Sequence, residues 1–506
     1  MMIKRVLVGL FAAMAVLFAS CEDVVSGGPG TNEPGTDNPG TGVVKVTGVS
    51  LSLNVLFLAL EDSADLAVTV SPADAADKTV TWVSSDTHVA TVDENGTVAS
   101  VAEGTATITV TTNDGGKTAT CAVTVYPSVT VASTADWTAA LSAISGEKGG
   151  SEDSPRIFGL RITDDFSVAG IVTGSSVAGN YKEIRLTGDK TVSLDANGSL
   201  IRTAANQTFV IDGPVLQGKT ENDSALVYID ESSTVELRRG EIKDNDNSSG
   251  YGGGVHVNDG TFAMKGGTVS GNEAEVVGGG VFNNGTFTMQ GGYISENEVT
   301  DDYGIGGGVY NNGTFTMEGG TISENTVKDI GGGVFNNGTF TMEDGYISKN
   351  EATGEESIGG GVSNDGTFTM KDGTVTGNAA SIGGGMIVFA DGTLTMKGGA
   401  ISGNEAEYGG GVHIWHGGTF TMEGGAISSN KATADGGGVF VEYTSTFTMK
   451  DGTITSNTAI SGGGVFVYDE GTFTMEKGTI TGNTASTGKK GVEGAFTKNG
   501  GTVQED

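Results

Sequence analysis

The chain has 506 residues and a formal net charge of −35, from 62 acidic against 27 basic side chains. An excess of that size repels nucleic acid, and polyanionic substrates too unless cations bridge them, while it keeps a glycine-rich chain soluble. Cys21 and Cys121 are the two cysteines, too few for a disulfide framework.

In chain order, residues 1–20 carry Lys4 and Arg5, then an apolar stretch to Phe18. This is too short and wrongly flanked for a membrane span and reads as a secretory signal. Leu17-Phe-Ala-Ser-Cys21 resembles a bacterial lipobox, departing from it at Phe18, where Leu is usual. The resemblance implies that Cys21 is lipidated and becomes the mature N-terminus; ordinary cleavage leaving a free Cys21 is the alternative. The expected location is the bacterial outer membrane or cell surface, with membrane contact through the anchor alone. Residues 21–43, with the Gly/Pro/Thr/Asn tract Gly27–Gly42, read as a flexible tether.

Residues 44–126 form a separate unit of short strands. The order Val46-Thr-Gly-Val-Ser-Leu, Thr81-Trp-Val-Ser-Ser-Asp, Val89-Ala-Thr-Val-Asp, Asn95-Gly-Thr-Val and Gly104-Thr-Ala-Thr-Ile-Thr-Val resembles the bacterial Ig-like group 2 domain. The resemblance implies a small β-sandwich with Trp82 in its core, serving as a spacer or adhesive module. Alternation in Ala119–Val125 places Cys121 on the inner face with Val123 and Val125, as a small core residue rather than a nucleophile.

Residues 128–245 hold less regular coils, with strand-like alternation in Lys182–Leu194, Gly198–Ile211 and Ala225–Asn245. Ahead of them, Trp137, Leu141 and Ile144 fall at helical spacing, so Ser133–Ile144 reads as an amphipathic helix that covers the open first coil.

From 246 to 506 one pattern recurs nine times: Gly-Gly-Gly-Val, a short turn, Gly-Thr-Phe-Thr-Met, a glycine turn, then Ile/Val-Ser/Thr-x-Asn. Successive triplets begin 24 to 28 residues apart, a period that signals a solenoid whose units bury their apolar faces against one another. Each unit reads as three short strands with Phe, Met, Val and Ile pointing inward, and no proline follows Pro214 to interrupt them. The expected fold is therefore all-β: an N-terminal Ig-like β-sandwich followed by a right-handed parallel β-helix. The whole resembles lipid-anchored surface proteins that pair an Ig-like module with a β-helix of the pectate-lyase-like kind. Asn272, Asn297, Asn325, Asn350, Asn378, Asn404, Asn430, Asn457 and Asn483 close the third run of each unit. They read as a stacked structural ladder, Asn being tolerant of left-handed backbone. Length variation concentrates between this Asn and the next triplet, from four residues after Asn378 to eight after Asn297 and Asn350.

Catalysis finds little support in these residues. Polysaccharide lyases of the fold use a cationic base, and hydrolases a pair of carboxylates across a cleft. No arginine follows Arg239, and His256, His413 and His416 are the only histidines of the repeats. His413-x-x-His416 lacks a third ligand, so no metal site is expected. No cofactor is expected beyond weak calcium binding by the acidic pairs Asp301-Asp302 and Glu355-Glu356.

Two outward patterns remain. The position after the repeat valine carries Phe282, Tyr310, Phe335, Phe440 and Phe466, with Trp415 nearby; if the valine points in, these rings face out as a candidate ligand-contact face for sugars or a protein. Thr-x-Thr pairs such as Thr286/Thr288 form two parallel ranks, which strand propensity alone explains. The expected role is a non-catalytic, surface-displayed adhesin or binding module for a glycan or protein on a host or neighbouring cell. A structural surface-layer component is the alternative, and a polysaccharide lyase or hydrolase the third.

Overall fold

The computed structural model describes residues 43–169 and 181–504, so Cys21 and its proposed lipid anchor lie outside the described residues. Among the described residues no helix is long and apolar enough to cross a membrane.

Residues 48–126 form the expected small all-β domain. One sheet orders Val55–Ala59, Thr118–Tyr126, Gly104–Thr112 and Val80–Ser84, and a second orders Ser63–Asp65, Thr97–Ser100 and Ala90–Val92. A two-stranded pair, Gly48–Leu51 with Val68–Ser71, completes it. Strict alternation in the two long strands sends Ala106, Ile108, Cys121, Val123 and Val125 into one core. Cys121 is fully buried there, and burial pushes its thiol pKa up, away from nucleophilic use. Trp82 packs against this core while remaining half-buried.

Pro127 alone separates this domain from the first solenoid strand, Ser128–Val131. The joint is packed: Phe57, Ala59 and Tyr126 meet Ile157, and the Arg185 guanidinium lies 3.9 Å from the centroid of Phe57 and 5.4 Å from that of Tyr126. Arg161 adds a 3.1 Å ion pair to Asp62. The helix occupies Thr134–Gly146, N-capped by Ser133, with Trp137, Ala140, Leu141 and Ile144 buried in the solenoid core. Its C-terminal carbonyls are met by the buried Lys182 ammonium, 2.8 Å from Ile144 O, which suits the negative end of the helix dipole.

The solenoid makes about 13 parallel turns. Strands stack in register, so like sits on like: Thr286, Phe287, Thr288 and Met289 pair with Thr314, Phe315, Thr316 and Met317 of the next coil. An inward column begins in the irregular coils at Phe158, Ile184, Phe209 and Val235 and continues through Phe262 and Phe287. In the repeats its rings stack 4.4–4.6 Å apart, from Phe287 through Phe315 and Phe340 to Phe368. Each is fully buried, a burial that contributes about 2 kcal/mol per ring. Beside them each methionine reaches the glycine turn of the next coil: a Cβ at Gly320 would lie 2.6 Å from Met289 Cε. Gly320 also holds φ +89, so space and backbone both require glycine there.

Two details correct the sequence reading. Most coils have a fourth, two-residue strand just past the ladder Asn, as at Glu298–Val299 and Thr326–Val327. And the left-handed residue is the one before the ladder Asn: Glu296, Glu324, Lys349, Ser429 and Ser456 have φ of 56–59°, with Gly271, Gly377, Gly403 and Gly482 in the other coils. The Asn itself turns inward and is almost wholly buried. In each step its Nδ2 donates to the next Asn Oδ1, 2.9–3.0 Å away from Asn272 through to Asn483. The same oxygen accepts the backbone N–H of the previous Asn. The glycine triplets pack against this ladder, a Cβ at Gly280 coming within 3.0 Å of Asn297 Nδ2.

Asn350→Ala is expected to strand two donors of Asn325, which reach Asn350 Oδ1 at 3.1 and 2.9 Å, and to cost about 2–4 kcal/mol. Asn312→Ala, at an exposed position, should stay within about 0.5 kcal/mol of the parent. Thermal and guanidinium unfolding of the two variants distinguishes a load on the ladder from a general intolerance of Asn loss.

Candidate binding surface

The strand that follows each glycine triplet is three residues long, and only its middle residue faces outward: in Val281–Asn283, Val281 and Asn283 are buried and Phe282 is half-buried. The inward Asn of this strand builds a second buried ladder, Asn283, Asn311, Asn336 and Asn364, with Nδ2–Oδ1 steps of 2.7 Å. Sequence reasoning missed it, taking these residues as turn; the signal was the recurring Val-x-Asn, in which the Asn shares the valine's parity.

The outward residues fall in one register from coil to coil: Tyr228, His256, Phe282, Tyr310, Phe335, Ser363, Ile387, His413, Phe440, Phe466 and Glu493. The row therefore exists, but its first half is a stack. Phe282 and Tyr310 lie 5.2 Å apart at 17°, and Tyr310 and Phe335 lie 5.1 Å apart at 27°. Near-parallel rings at that separation cover one another's faces and turn edges toward solvent. Phe335 and Phe440 are buried, at 7% and 4% exposure, which corrects the expectation of open ring faces at those two positions. From Phe282 to Phe466 each row residue or the valine before it also lies over the first glycine of its triplet; a Cβ at Gly436 would fall 2.7 Å from Phe440 Cβ. His256, between Tyr228 and Phe282, is held neutral by burial, its pKa pushed down to about 4.

Ser363 and Ile387 interrupt the rings, and beyond them the geometry changes. Trp415 belongs to the neighbouring column, two residues past His413. Around it some rings cross: Phe389 meets Trp415 at 62°, Tyr443 meets Tyr468 at 82° and Tyr408 meets Phe440 at 74°, while Tyr468 stays near-parallel to Phe440 at 29°. The crossing leaves a pocket of about 380 Å³ lined by Ile382, Tyr408, His413, Trp415, Asp435, Phe440, Glu442, Tyr443 and Tyr468. At its base His413, 2% exposed, shares a 3.0 Å hydrogen bond between Nε2 and the Glu442 carboxylate. A carboxylate accepts, so the proton sits on Nε2. Burial holds the imidazole pKa below its usual value, against the opposing pull of Glu442. Phe466 stacks on Phe440 at 5.1 Å behind the pocket. His413 is thus a central residue of the site: the chain sets it beside Trp415, ring centroids 6.0 Å apart, and the register sets both beside Phe440 and Glu442 of the next coil.

The acidic pairs meet elsewhere. Asp302, Glu355 and Glu356 line one groove of about 470 Å³ formed by the long insertions, together with Tyr303, Lys328 and Asp329. Lys328 pairs with Asp302 at 2.6 Å and holds its carboxyl below the usual range. Among the described residues no three His, Cys, Asp or Glu are grouped to hold a metal ion. The Thr ranks lie on the outer face of the Thr-Phe-Thr-Met strands, with Thr286 exposed and Thr288 half-buried.

Where the row breaks, Asp365 occupies the column that Asn284, Asn312 and Asn337 fill in earlier coils, whose amides bond one another at 2.7 and 2.9 Å. Its Oδ1 is buried without a partner, and burial raises its pKa to about 6.

The comparisons with known proteins agree with this architecture. Residues 45–123 match the bacterial Ig-like domain (group 2), and residues 383–503 match the right-handed beta helix region. The chain is 47% identical over 102 residues to an alpha-L-arabinofuranosidase of Bifidobacterium longum, covering 20% of this chain and 10% of that protein. It is 49% identical over 84 residues to an Ig-like virion protein of Serratia phage KSP90, covering 16% and 33%. A lacto-N-biosidase of Bifidobacterium bifidum is 46% identical over 85 residues, 17% of this chain and 7% of that enzyme. The chain thus spans a third or less of each of these relatives.

An acid with a raised pKa favours the folded state at pH below its unfolded value and loses that contribution as pH rises through the folded one. Asp365→Asn is therefore expected to leave stability little changed at pH 4 and to raise it by about 1–2 kcal/mol at pH 8, the full shift being discounted for partial exposure. Melting temperatures of parent and variant at the two pH values give the sign directly.

Proposed function

We propose that this chain is a non-catalytic, surface-displayed binding protein in which the Ig-like domain is the stalk and the solenoid presents a ligand-binding face toward a glycan or protein. One observation carries the reading. On a face otherwise closed by stacked rings and glycine backbone, the rings around Trp415 cross and leave a lined pocket of about 380 Å³. Concave aromatic sites with a few placed polar groups are the usual form of a ligand site. The packed joint at Arg185 supports the stalk reading, because a spacer that transmits orientation needs a stiff junction. Lipid anchoring through Cys21 and outer-membrane or cell-surface display belong to the same proposal, as does weak calcium binding in the groove of the acidic insertions.

The test presents the full-chain protein, with calcium and with chelator, to a panel of glycans and matrix proteins, recording both retention and release of cleaved product. Saturable retention without product is expected. Trp415→Ala and Tyr443→Ala should weaken it about ten-fold or more, whereas Phe282→Ala, within the stacked half of the row, should change it less than about three-fold. Reducing-end or unsaturated-sugar product would overturn the non-catalytic reading, and retention indifferent to Trp415 and Tyr443 would remove the pocket from it.

A further inference from the structure

The pocket at Trp415 has a chemistry narrower than an aromatic surface requires. Glu442 and Asp435 both line it, and no lysine or arginine does. His413 brings no positive charge, being held neutral and donating to Glu442. The effect of the uncompensated carboxylates reaches the ring hydroxyls. Tyr443 has its pKa raised chiefly by Glu442, and Tyr408 has its own raised by burial and then by Glu407, Asp435 and Glu442. Asp435 is itself pushed up by burial and by Glu493. Tyr408, Tyr443 and Asp435 thus each feel a neighbouring carboxylate that no cation in the lining balances. His413 Nδ1 and Trp415 Nε1 add buried polar atoms without a well-formed partner at the same spot.

Ring orientation narrows the ligand further. A flat sugar is best held on coplanar ring faces; here Tyr468 lies near-parallel to Phe440 at 29°, but Tyr443 meets Tyr468 at 82° and Tyr408 meets Phe440 at 74°, so the walls do not form one plane. Rings set edge to face around one volume present several π-faces to its centre, which favours a compact cation. A primary ammonium, strongly hydrated, would need three acceptors to leave water; Glu442 and Asp435 supply some, but the Trp415, Tyr443 and Tyr468 ring faces that make up the rest of the lining supply none. A methylated ammonium is diffuse in charge and weakly hydrated, so it loses little on entering such a site.

We propose that this pocket binds a quaternary ammonium group, with the rings of Trp415, Tyr443 and Tyr468 enclosing the methyl groups and Glu442 and Asp435 balancing the charge. The proposal rests on the reading of this face as a binding surface and names the feature it recognises: a choline-type substituent on a glycan or lipid, or a trimethylated lysine on a protein. The chain's net charge of −35 favours approach of such a cation from a distance.

The experiment is calorimetric titration of the full-chain protein with choline, with its uncharged isostere 3,3-dimethyl-1-butanol, with Nε-trimethyl-lysine, and with a neutral methyl galactoside. Choline or trimethyl-lysine should saturate a single site, and the isostere, equal in shape, should bind at least about ten-fold more weakly. The tighter of the two cations identifies the source. Glu442→Gln, which retains an acceptor for His413, and Tyr443→Ala should each weaken the cation about ten-fold; Thr316→Val, on another face, should leave it unchanged. Equal binding of choline and its isostere, saturation by the galactoside in competition with choline, or no saturation by either cation would overturn the proposal. If the cations fail while a glycan or matrix protein is still retained through Trp415, only the ammonium assignment falls and the binding role stands.

Discussion

Everything in the solenoid depends on coils stacking in strict register, and the buried Asn ladder is what enforces it. A buried amide that misses its partner loses a hydrogen bond and keeps its desolvation cost. A slip of one residue between coils would orphan Asn272 through Asn483 together, and the second ladder at Asn283–Asn364 with them. The glycine triplets are the other half of the same constraint: with no Cβ, their backbone approaches the amides to contact distance. The two features that recur most faithfully in the sequence are therefore in contact in the fold.

Register has a consequence on the outside. Once like sits on like, any outward position becomes a continuous column, and what the column does depends on its residue types. Where rings follow rings, as from Tyr228 to Phe335, they satisfy one another and close the surface. Where Ser363, Ile387 and His413 break the run, the neighbouring column intrudes with Phe389 and Trp415, whose rings meet at 62°, and the single parallel stack is lost. The pocket is a local failure of repetition. Loop variety on the insertion edge produces a second irregular feature, the acidic groove, by the same route.

The junction with the Ig-like domain is stiff for a different reason. Only Pro127 lies between the last strand of one unit and the first of the next, and Arg185 reaches from the solenoid to cover Phe57 and Tyr126. An arginine 5% exposed at such a joint is paired with Glu183, so it brings packing without an unbalanced charge.

Periodicity, parity and glycine placement are local properties, and they made much of this protein legible: the two-unit all-β plan, the inward columns of Phe, Met, Val and Ile, the Asn ladder, the buried Cys121 and the capping helix with Trp137. The left-handed residue before each ladder Asn was not legible, because Glu, Lys and Ser adopt that geometry only when the amide beside them is held. Nor was the second ladder, since Asn-Asn-Gly and Asn-Asp-Gly read as turns until the strand before them is given its length. Ring faces were misjudged for a related reason: parity says which side of a strand a ring occupies, and only the separation and tilt between coils say whether its face is open. Above all, the meeting of His413, Trp415, Glu442 and Tyr468 was decided by the tertiary structure. Trp415 lies two residues past His413, and Glu442 and Tyr468 hold its repeat position in the next two coils, so the positions were legible; that these unlike side chains surround one volume instead of stacking like on like is decided by their separations and tilts between coils.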